Sequence, residues 1–331
     1  MQSMNPSIAV LVPCYNEALT IKKVVTDFRH VLPNATIYVY DNNSTDNTGE
    51  IAREAGAIVR REPRQGKGNV IRSMFQDIDA DIYLMVDGDD TYPAEHAPEM
   101  IEKIREGYDM VIGDRLSSTY LQENTRAFHN FGNLLVRNSI NRLFGSNIHD
   151  VMTGYRAMSF TFVKTYPALS HGFELETEMT IHAIDKNVKI YEMPVNFRNR
   201  PADSSSKLNT FSDGFKVLYT IARMMCEYRP LPLFTTLLII LFCIGGGLVC
   251  PIFISYWHTG MVARFPTLIV ASFIILSGII DFVAGIILNL LAKQNRKLYT
   301  YHCNLLAYNR RHSQDDNQQT EKPSNDYLFF N

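Results

Sequence analysis

The sequence predicts an α/β domain with a mostly parallel sheet, followed by a helix at the membrane surface and a two-helix membrane hairpin. Short apolar runs rich in β-branched residues alternate with helical segments between residues 8 and 195, as in βαβ units. Several of these runs end in polar turns that carry Asp, Lys or Arg. After residue 230 the composition changes, and two long stretches are almost entirely apolar.

The elements of the α/β domain follow from its apolar periodicity. We expect strands at residues 8–13, 36–40, 57–59, 81–86, 110–113 and 189–195. We expect helices at residues 18–31, 48–55, 69–77, 126–144 and 174–185. In the first helix, the apolar residues Ile21, Val24, Val25 and Phe28 repeat at helical spacing. Strands connected by helices of this length predict a parallel sheet.

The acidic turn Asp87-Gly88-Asp89 follows the apolar run Ile82-Tyr83-Leu84-Met85-Val86. Open α/β sheets bind ligands at the carboxyl ends of their strands, which is where this turn lies. Two carboxylates without a neighbouring Cys or His favour a hard cation, Mg²⁺ or Mn²⁺, bridged to phosphate oxygens. The alternative is an ordinary acidic surface turn.

Three further turns decide between these readings. Asp41, Lys67 and Arg115 also lie where predicted strands end or helices begin, so a parallel sheet brings them to the edge that carries Asp87 and Asp89. The Gly66-Lys67-Gly68 segment is not a Walker A loop, because no GxxxxGK[ST] pattern is present. The combination favours a binding site over a surface turn.

The C-terminal part predicts a membrane anchor. Residues 233–257 contain no charged residue and residues 265–292 contain only Asp281, and each stretch exceeds the roughly 20 residues that cross a bilayer. Residues 209–228 have the spacing of an amphipathic helix, either on the membrane surface or closing the soluble domain. We therefore expect domains at 1–208, 209–230, 231–292 and 293–331, the last a basic and then polar tail, disordered from Ser313.

Charge and cysteine usage limit the surroundings and partners. The formal net charge of −2 argues against a nucleic-acid-binding protein. The five cysteines lack metal-ligand spacing, which fits a reduced compartment. No signal peptide is predicted, and Lys and Arg flank the hairpin on one side, so we expect the α/β domain and both termini in the cytoplasm. Gly245-Gly246-Gly247 permits close helix contacts, and thus a homo-oligomer.

The set of motifs resembles family 2 glycosyltransferases, and among them the polyprenyl-phosphate glycosyltransferases, which include dolichol-phosphate mannose synthases and bacterial undecaprenyl-phosphate sugar transferases. The matching segments are Val12-Pro13-Cys14-Tyr15-Asn16-Glu17, Tyr40-Asp41-Asn42-Asn43-Ser44-Thr45-Asp46, Gly66-Lys67-Gly68, Asp87-Gly88-Asp89, Gly113-Asp114-Arg115, Thr153-Gly154-Tyr155-Arg156 and Ser206-Lys207-Leu208. The resemblance implies a Rossmann-like GT-A fold and an inverting transfer of a sugar from a nucleotide sugar to a polyprenyl phosphate.

The resemblance also implies roles for individual residues. Pro13, Tyr15, Glu17, Asp41, Lys67 and Asp87 would bind the nucleotide sugar, and Asp89, with Asp87, would hold the metal. Asp87, Asp89 and Arg115 would act in catalysis. Arg115, Arg126, Arg137, Arg200, Ser206 and Lys207 would bind the acceptor phosphate.

Several residues have structural alternatives. Glu17 can cap a helix, and Arg156 can form a structural ion pair with Asp150. Among Glu174, Glu176 and Glu178 one can act as a base, although the pattern favours a solvated helix face.

Two alternative functions fit the fold. A processive polysaccharide synthase would need a Thr-Glu-Asp-type and a Gln-x-x-Arg-Trp motif, and the only tryptophan, Trp257, lies in the hairpin. A non-catalytic membrane scaffold is the other alternative, and the intact acidic and basic motifs argue against it. For the donor, Asp87-Gly88-Asp89 together with Gly66-Lys67-Gly68 resembles users of UDP-sugars, which favours UDP-glucose or UDP-N-acetylglucosamine. Thr91 argues against mannose, because mannose synthases usually have Gln at that position. Undecaprenyl and dolichyl phosphate both fit the acceptor.

Overall fold

A computed structural model describes residues 6–117, 127–170, 172, 174–198, 222–262 and 264–320. Its α/β domain contains one seven-stranded sheet in the order β3-β2-β1-β4-β6-β5-β7. The strands are β1 (Ile8–Cys14), β2 (Ala35–Asp41), β3 (Ile58–Arg61), β4 (Ile82–Met85), β5 (Met110–Asp114), β6 (Arg156–Ser159) and β7 (Ile190–Pro194). This is the GT-A-like α/β fold that the sequence predicted.

Helices connect the strands as βαβ units require. They are α1 (Ile21–Val31), α2 (Thr48–Glu54), α3 (Lys67–Asp77), α4 (Ala97–Arg105), α5 (Ala127–Phe144), α6 (Phe160–Thr165) and α7 (Leu175–Asp185). In α1 the buried residues are Ile21, Val24, Val25 and Phe28, the four that the helical spacing selected. The apolar face of this helix therefore packs on the sheet, where burying each such side chain contributes about 1.5–3 kcal/mol.

Two helices and one strand of the described structure were not predicted from the sequence. The helices are α4 and α6, and the strand is β6, which pairs antiparallel with both β4 and β5. The other neighbouring pairs are parallel. Strand β6 has four residues and begins with Arg156, so it lacks the apolar run by which the other central strands were predicted.

Two long helices follow, α8 (Pro230–Thr259) and α9 (Phe265–Thr320). Helix α8 and the Phe265–Arg310 part of α9 are long and apolar enough to cross a membrane, by length and composition. The expectation of a disordered tail from Ser313 was wrong over its first part, because α9 continues to Thr320. Of the predicted surface helix at 209–230 only residues 222–230 are described, and residues 222–228 are helical.

The chain forms two compact units, residues 1–210 with 298–331 and residues 211–297. Within the second unit, α8 and α9 approach closely at glycines. A Cβ on Gly245 would lie 2.5 Å from Ile275 Cγ1, and one on Gly285 would lie 2.5 Å from Phe234 Cβ. Gly246 and Gly247 have no such neighbour within 4 Å. Of the three consecutive glycines, only Gly245 therefore serves this contact.

Candidate active site

The loops after β1 and β2 form one connected structure at the carboxyl edge of the sheet. Parallel pairing places Cys14 opposite Asp41, so both strands end at the same level. The amide of Asn16 donates to Ser44 Oγ at 2.9 Å, and the amide of Thr45 donates to Asn16 Oδ1 at 2.7 Å. The amide of Glu17 donates to Thr48 Oγ1 at 2.8 Å. These bonds fix the backbone that carries Tyr15, Glu17 and Asp41.

Cys14 shows that four of the predicted site residues converge. Its thiol is buried, and that burial is the main reason why its pKa is raised well above the usual value. The carboxylates of Glu17, Asp41, Asp87 and Asp89 raise the pKa of Cys14 further by their negative charge. The geometry agrees, because Asp41 pairs opposite Cys14, and a Cβ on Gly88, between Asp87 and Asp89, would lie 2.7 Å from Cys14 Sγ and 3.7 Å from Glu17 Cγ. The sheet edge therefore brings these turns together around a thiol that stays protonated.

The acidic turn after β4 is held rigidly. Asp89 is only 3% exposed, and its Oδ1 accepts hydrogen bonds from the Thr91 amide at 3.2 Å and from Thr91 Oγ1 at 2.6 Å. The carbonyl of Gly88 accepts a hydrogen bond from Thr20 Oγ1 at 2.7 Å. A Cβ on Gly88 would lie 2.7 Å from Cys14 Sγ, so this position requires glycine. The turn thus presents Asp87 and Asp89 in a fixed arrangement.

Lys67 is an ion-pair partner of two carboxylates. Its Nζ lies 2.5 Å from Asp87 Oδ1 and 2.5 Å from Glu176 Oε1. Burial lowers the pKa of Lys67, but the charges of Asp87 and Glu176 outweigh it, so the pKa is raised and the ammonium stays charged. Lys67 opens α3, as the sequence predicted for a basic group at this edge.

The loop before Lys67 is held by a buried amide, Asn42. Its Nδ2 donates to the carbonyls of Glu62 at 2.9 Å and Arg64 at 2.8 Å, and its Oδ1 accepts from the Gly66 amide at 2.7 Å. Gly66 has a φ of 123°, a backbone conformation that residues other than glycine rarely adopt. The loop therefore delivers Lys67 to Asp87 through backbone contacts that Asn42 sets.

Arg115 lies at the end of β5, and its guanidinium is engaged by Asp150. Arg115 Nε lies 2.8 Å from Asp150 Oδ2, and Asp150 is almost completely buried. Arg115 Nη1 also donates to Tyr92 Oη at 3.5 Å. A role for Arg115 in catalysis or phosphate binding stays a prediction, and it requires one guanidinium to serve Asp150 and a phosphate together.

The expected ion pair between Arg156 and Asp150 was wrong, because Asp150 pairs with Arg115. Arg156 is fully buried and structural in a different way. It donates to the carbonyls of Val151 at 2.8 Å and Glu176 at 3.1 Å and to Thr180 Oγ1 at 2.8 Å. Arg156 thus ties the start of α7 to the sheet.

Of the remaining predicted site residues, the structure describes three. Pro13 is buried at the end of β1, Tyr15 is half-buried in the loop after it, and Arg137 is half-buried on α5. Arg126, Arg200, Ser206 and Lys207 lie outside the residues that the structure describes. Their proposed contacts with an acceptor phosphate stay predictions.

Three residues of the site were missed or misread in the sequence. Glu176 and Glu178 were expected on a solvated helix face, but both are buried, Glu176 to 3% exposure. The carboxylate of Glu178 accepts the amides of Leu169 and Ser170, and Glu176 contacts Lys67. For Asn42, the sequence offered no indication of a role apart from its position directly after Asp41 in the matching segment. A helix whose acidic residues alternate with Leu175, Met179 and Ile181 cannot expose them all, and that was the available signal.

Comparison with known proteins shows the family to which this chain belongs. Residues 9–166 match the model of glycosyl transferase family 2. The glycosyltransferase AglJ of Haloferax volcanii is 31% identical over 293 residues, which cover 88% of this chain and 95% of AglJ. The chain belongs to glycosyl transferase family 2 and is a glycosyltransferase.

Two further similarities describe its relatives and fold. A dolichyl-phosphate hexose transferase of Haloferax volcanii is 30% identical over 228 residues, covering 67% of this chain and 95% of the relative. The crystal structure of glucosyl-3-phosphoglycerate synthase of Mycobacterium tuberculosis, in complex with Mn²⁺, UDP-glucose and phosphoglyceric acid, superposes with a TM-score of 0.54 at 21% identity, covering 66% of this chain and 79% of that one. This second similarity confirms the fold.

Proposed function

We propose that this glycosyltransferase moves a hexose or N-acetylhexosamine from a nucleotide sugar to the phosphate of a polyprenyl phosphate. The observation that carries the proposal is the carboxylate cluster around Cys14, with Lys67 on Asp87, at the carboxyl edge of a sheet of this family. The apolar helices α8 and α9 and the relative named dolichyl-phosphate hexose transferase support a lipid acceptor. The product would be a lipid-linked sugar for cell-envelope glycans or glycoproteins.

The site suits a divalent cation that is shared with the donor. Among the residues that the structure describes, no group of three or more His, Cys, Asp and Glu side chains is arranged to hold a metal ion. Mg²⁺ typically binds one or two carboxylates and completes its shell with water and substrate phosphates. Asp89 and Asp87 fit that mode, and the Lys67 ammonium on Asp87 shows that this carboxylate attracts a cation. Bound there, Mg²⁺ or Mn²⁺ would neutralise the charge of the departing nucleoside diphosphate.

The chemistry needs little proton transfer. A phosphate oxygen of the acceptor attacks C1 of the sugar, the new C1–O bond forms, and the bond from C1 to the nucleoside diphosphate breaks with inversion. Because the acceptor phosphate is already anionic at neutral pH, no general base is required. The protein must orient the two substrates and balance their charge, and Lys67, a cation that pairs with Asp87, would do so on the donor side.

The donor base and sugar are part of the proposal. We propose a UDP-sugar, UDP-glucose or UDP-N-acetylglucosamine. Thr91 in this chain bonds to Asp89 Oδ1 and takes the position where mannose synthases usually have Gln. The structural relative in complex with UDP-glucose and Mn²⁺ shares the fold, which is compatible with such a donor.

We further propose that α8 and α9 span the membrane and that the catalytic domain and both termini are cytoplasmic. Arg223 and Arg229 precede the hairpin, and Lys293, Arg296 and Lys297 follow the apolar part of α9. This excess of positive charge on one side is typical of the cytoplasmic face. The acceptor's phosphate lies at the bilayer surface, so a membrane anchor would hold the catalytic domain close to it.

The test uses the full chain in lipid vesicles that contain undecaprenyl phosphate, with Mg²⁺ or Mn²⁺ and a panel of radiolabelled nucleotide sugars. We expect one sugar to become extractable into organic solvent. Asp89→Asn should abolish this transfer, whereas Asp79→Asn, at a position that is 83% exposed on its side chain, should not. Label found only in water-soluble polymer would support a polysaccharide synthase. Equal transfer by wild type and Asp89→Asn would contradict the proposal.

A further inference from the structure

We propose that Glu176 is a positioning residue that retains Lys67 when Asp87 turns to the metal and the donor. In the structure, Lys67 bridges Asp87 and Glu176, with 2.5 Å to an oxygen of each. The inference rests on the proposed function, because it assumes that Asp87 helps to hold a divalent cation. It assigns a role to a residue that the sequence pattern placed on a solvated helix face.

Asp87 cannot serve both cations equally well. An ammonium within hydrogen-bond distance of a carboxylate competes with a metal ion for the same oxygen atoms. When a metal ion and a nucleoside diphosphate arrive, Lys67 would lose much of its contact with Asp87. Without a second partner, its buried ammonium would be left uncompensated, and an unpaired buried charge is strongly destabilising. Glu176 supplies that second partner.

The carboxylate of Glu176 has the capacity for this task. It is buried, its Oε1 contacts Lys67, and its buried Oε2 has no hydrogen-bond partner among the residues that the structure describes. A buried acceptor that lacks a partner costs free energy in that state, and a bond that it gains in another state of the protein is one explanation for keeping it. An ammonium carries three donor hydrogens, so Lys67 can bond to both oxygens of Glu176 once it leaves Asp87.

Glu176 is also fixed in place from several directions. Its carbonyl accepts a hydrogen bond from the buried guanidinium of Arg156 at 3.1 Å. The segment that leads into α7 is bound on one side by Arg72, whose Nε donates to the Ala168 carbonyl at 2.8 Å. On the other side Glu178 accepts the amide of Ser170 at 2.8 Å. Helix α3 is thus coupled to α7 through Lys67 and Glu176, and to residues 168–170 before α7 through Arg72.

The decisive measurement is Mn²⁺ binding, followed by electron paramagnetic resonance on the purified full chain, without nucleotide and then with UDP or GDP. The variants are Glu176→Gln, which keeps the shape and removes the charge, and Glu174→Gln, an exposed control two residues away. For Glu176→Gln with nucleotide we expect Mn²⁺ affinity to fall on the order of tenfold, the scale of supporting residues around metal sites. Glu174→Gln should bind as wild type does.

Lys67→Met gives an independent check if Glu176→Gln does not fold. Removing the competing ammonium should tighten Mn²⁺ binding to the protein without nucleotide and weaken the binding of the nucleotide. If Glu176→Gln binds Mn²⁺ as tightly as wild type, or if Lys67→Met leaves Mn²⁺ binding unchanged, the inference is overturned. If wild type itself binds no Mn²⁺ with either nucleotide, the proposed metal site fails instead, and that outcome is distinct.

Discussion

Gly154 lies so close to the carboxylate of Asp87 that a side chain on Gly154 would occupy the same space. A Cβ built on Gly154 would collide with Asp87 Oδ2 and would lie 2.9 Å from its Cγ. The Thr153-Gly154-Tyr155-Arg156 motif therefore contributes to the active site by leaving room. Asp87 keeps its position between Lys67 and the sheet because Gly154 has no side chain.

We predict that Gly154→Ala lowers turnover strongly while the fold is retained. The added methyl group must push the Asp87 carboxylate aside, and a displacement of about 1 Å at a catalytic group can cost on the order of 100-fold in rate. The measurement is kcat for sugar transfer, with circular dichroism as the check on folding. Gly246→Ala, where a Cβ meets nothing within 4 Å, is the control. Unchanged kcat in Gly154→Ala would mean that the position of Asp87 is unimportant.

The buried pair of Arg115 and Asp150 provides a prediction about stability. Asp150→Asn would remove the buried carboxylate that pairs with the Arg115 guanidinium, whose side chain is 12% exposed. Breaking such a buried pair from one side costs on the order of 3 kcal/mol. We expect the thermal unfolding midpoint to fall by several degrees. The exposed Asp79→Asn, whose ion pair with Lys164 is 3.7 Å long, should leave the midpoint unchanged.

His182 gives the catalytic domain a pH-dependent stability. Its ring is buried among Phe162, Tyr166 and Tyr299, and within the described part of the chain its Nε2 has no hydrogen-bond partner. Burial, and then the nearby charge of Lys186, lower the pKa of His182 from 6.5 to about 4. The unfolded chain therefore binds a proton between these pH values that the folded chain does not.

It follows that the contribution of His182 to stability is fully present above pH 6.5 and is lost as the pH falls from there through about 4. The full effect is on the order of 3 kcal/mol, from about 1.4 kcal/mol for each pKa unit. We expect His182→Met to show a weaker loss of the unfolding midpoint over this range than wild type. The exposed His30→Gln serves as control and should follow wild type. A wild-type profile that is flat between pH 6.5 and 4 would contradict the assignment.

The sequence predicted those parts of the fold and site that local patterns encode. Alternating apolar runs and polar turns predicted the sheet, α1 with its four buried residues, and the meeting of Asp41, Asp87 and Asp89, whereas Glu17 was assigned to the site by the family resemblance. It did not give β6, because a strand that begins with a buried arginine depends on the partners Arg156 finds in α7. Tertiary contacts of that kind leave no periodic pattern.

The same limit explains why Glu176 was placed on a solvated surface. A charged residue is seldom buried unless it is paired. The partner of Glu176 is Lys67, which lies 109 positions earlier in the chain (176 − 67). No local window of sequence contains both groups. The partner of Asp150 was misjudged for a similar reason, since Arg156 is near in sequence but Arg115 is near in space.

The final prediction concerns the hairpin, where Gly285 on α9 faces Phe234 on α8. A Cβ on Gly285 would lie 2.5 Å from Phe234 Cβ and 2.8 Å from its Cγ, so Gly285→Leu must separate the two helices. Helices in a membrane associate through close backbone approach at small residues, which a leucine here removes. We expect Gly285→Leu to lower the thermal midpoint of the detergent-solubilised protein and to increase proteolysis within the hairpin. Gly246→Leu, with no neighbour within 4 Å of its Cβ, adds the same apolar volume and should leave both measurements near wild type. Equal behaviour of the two variants would show that the contact at Gly285 does not hold the hairpin together.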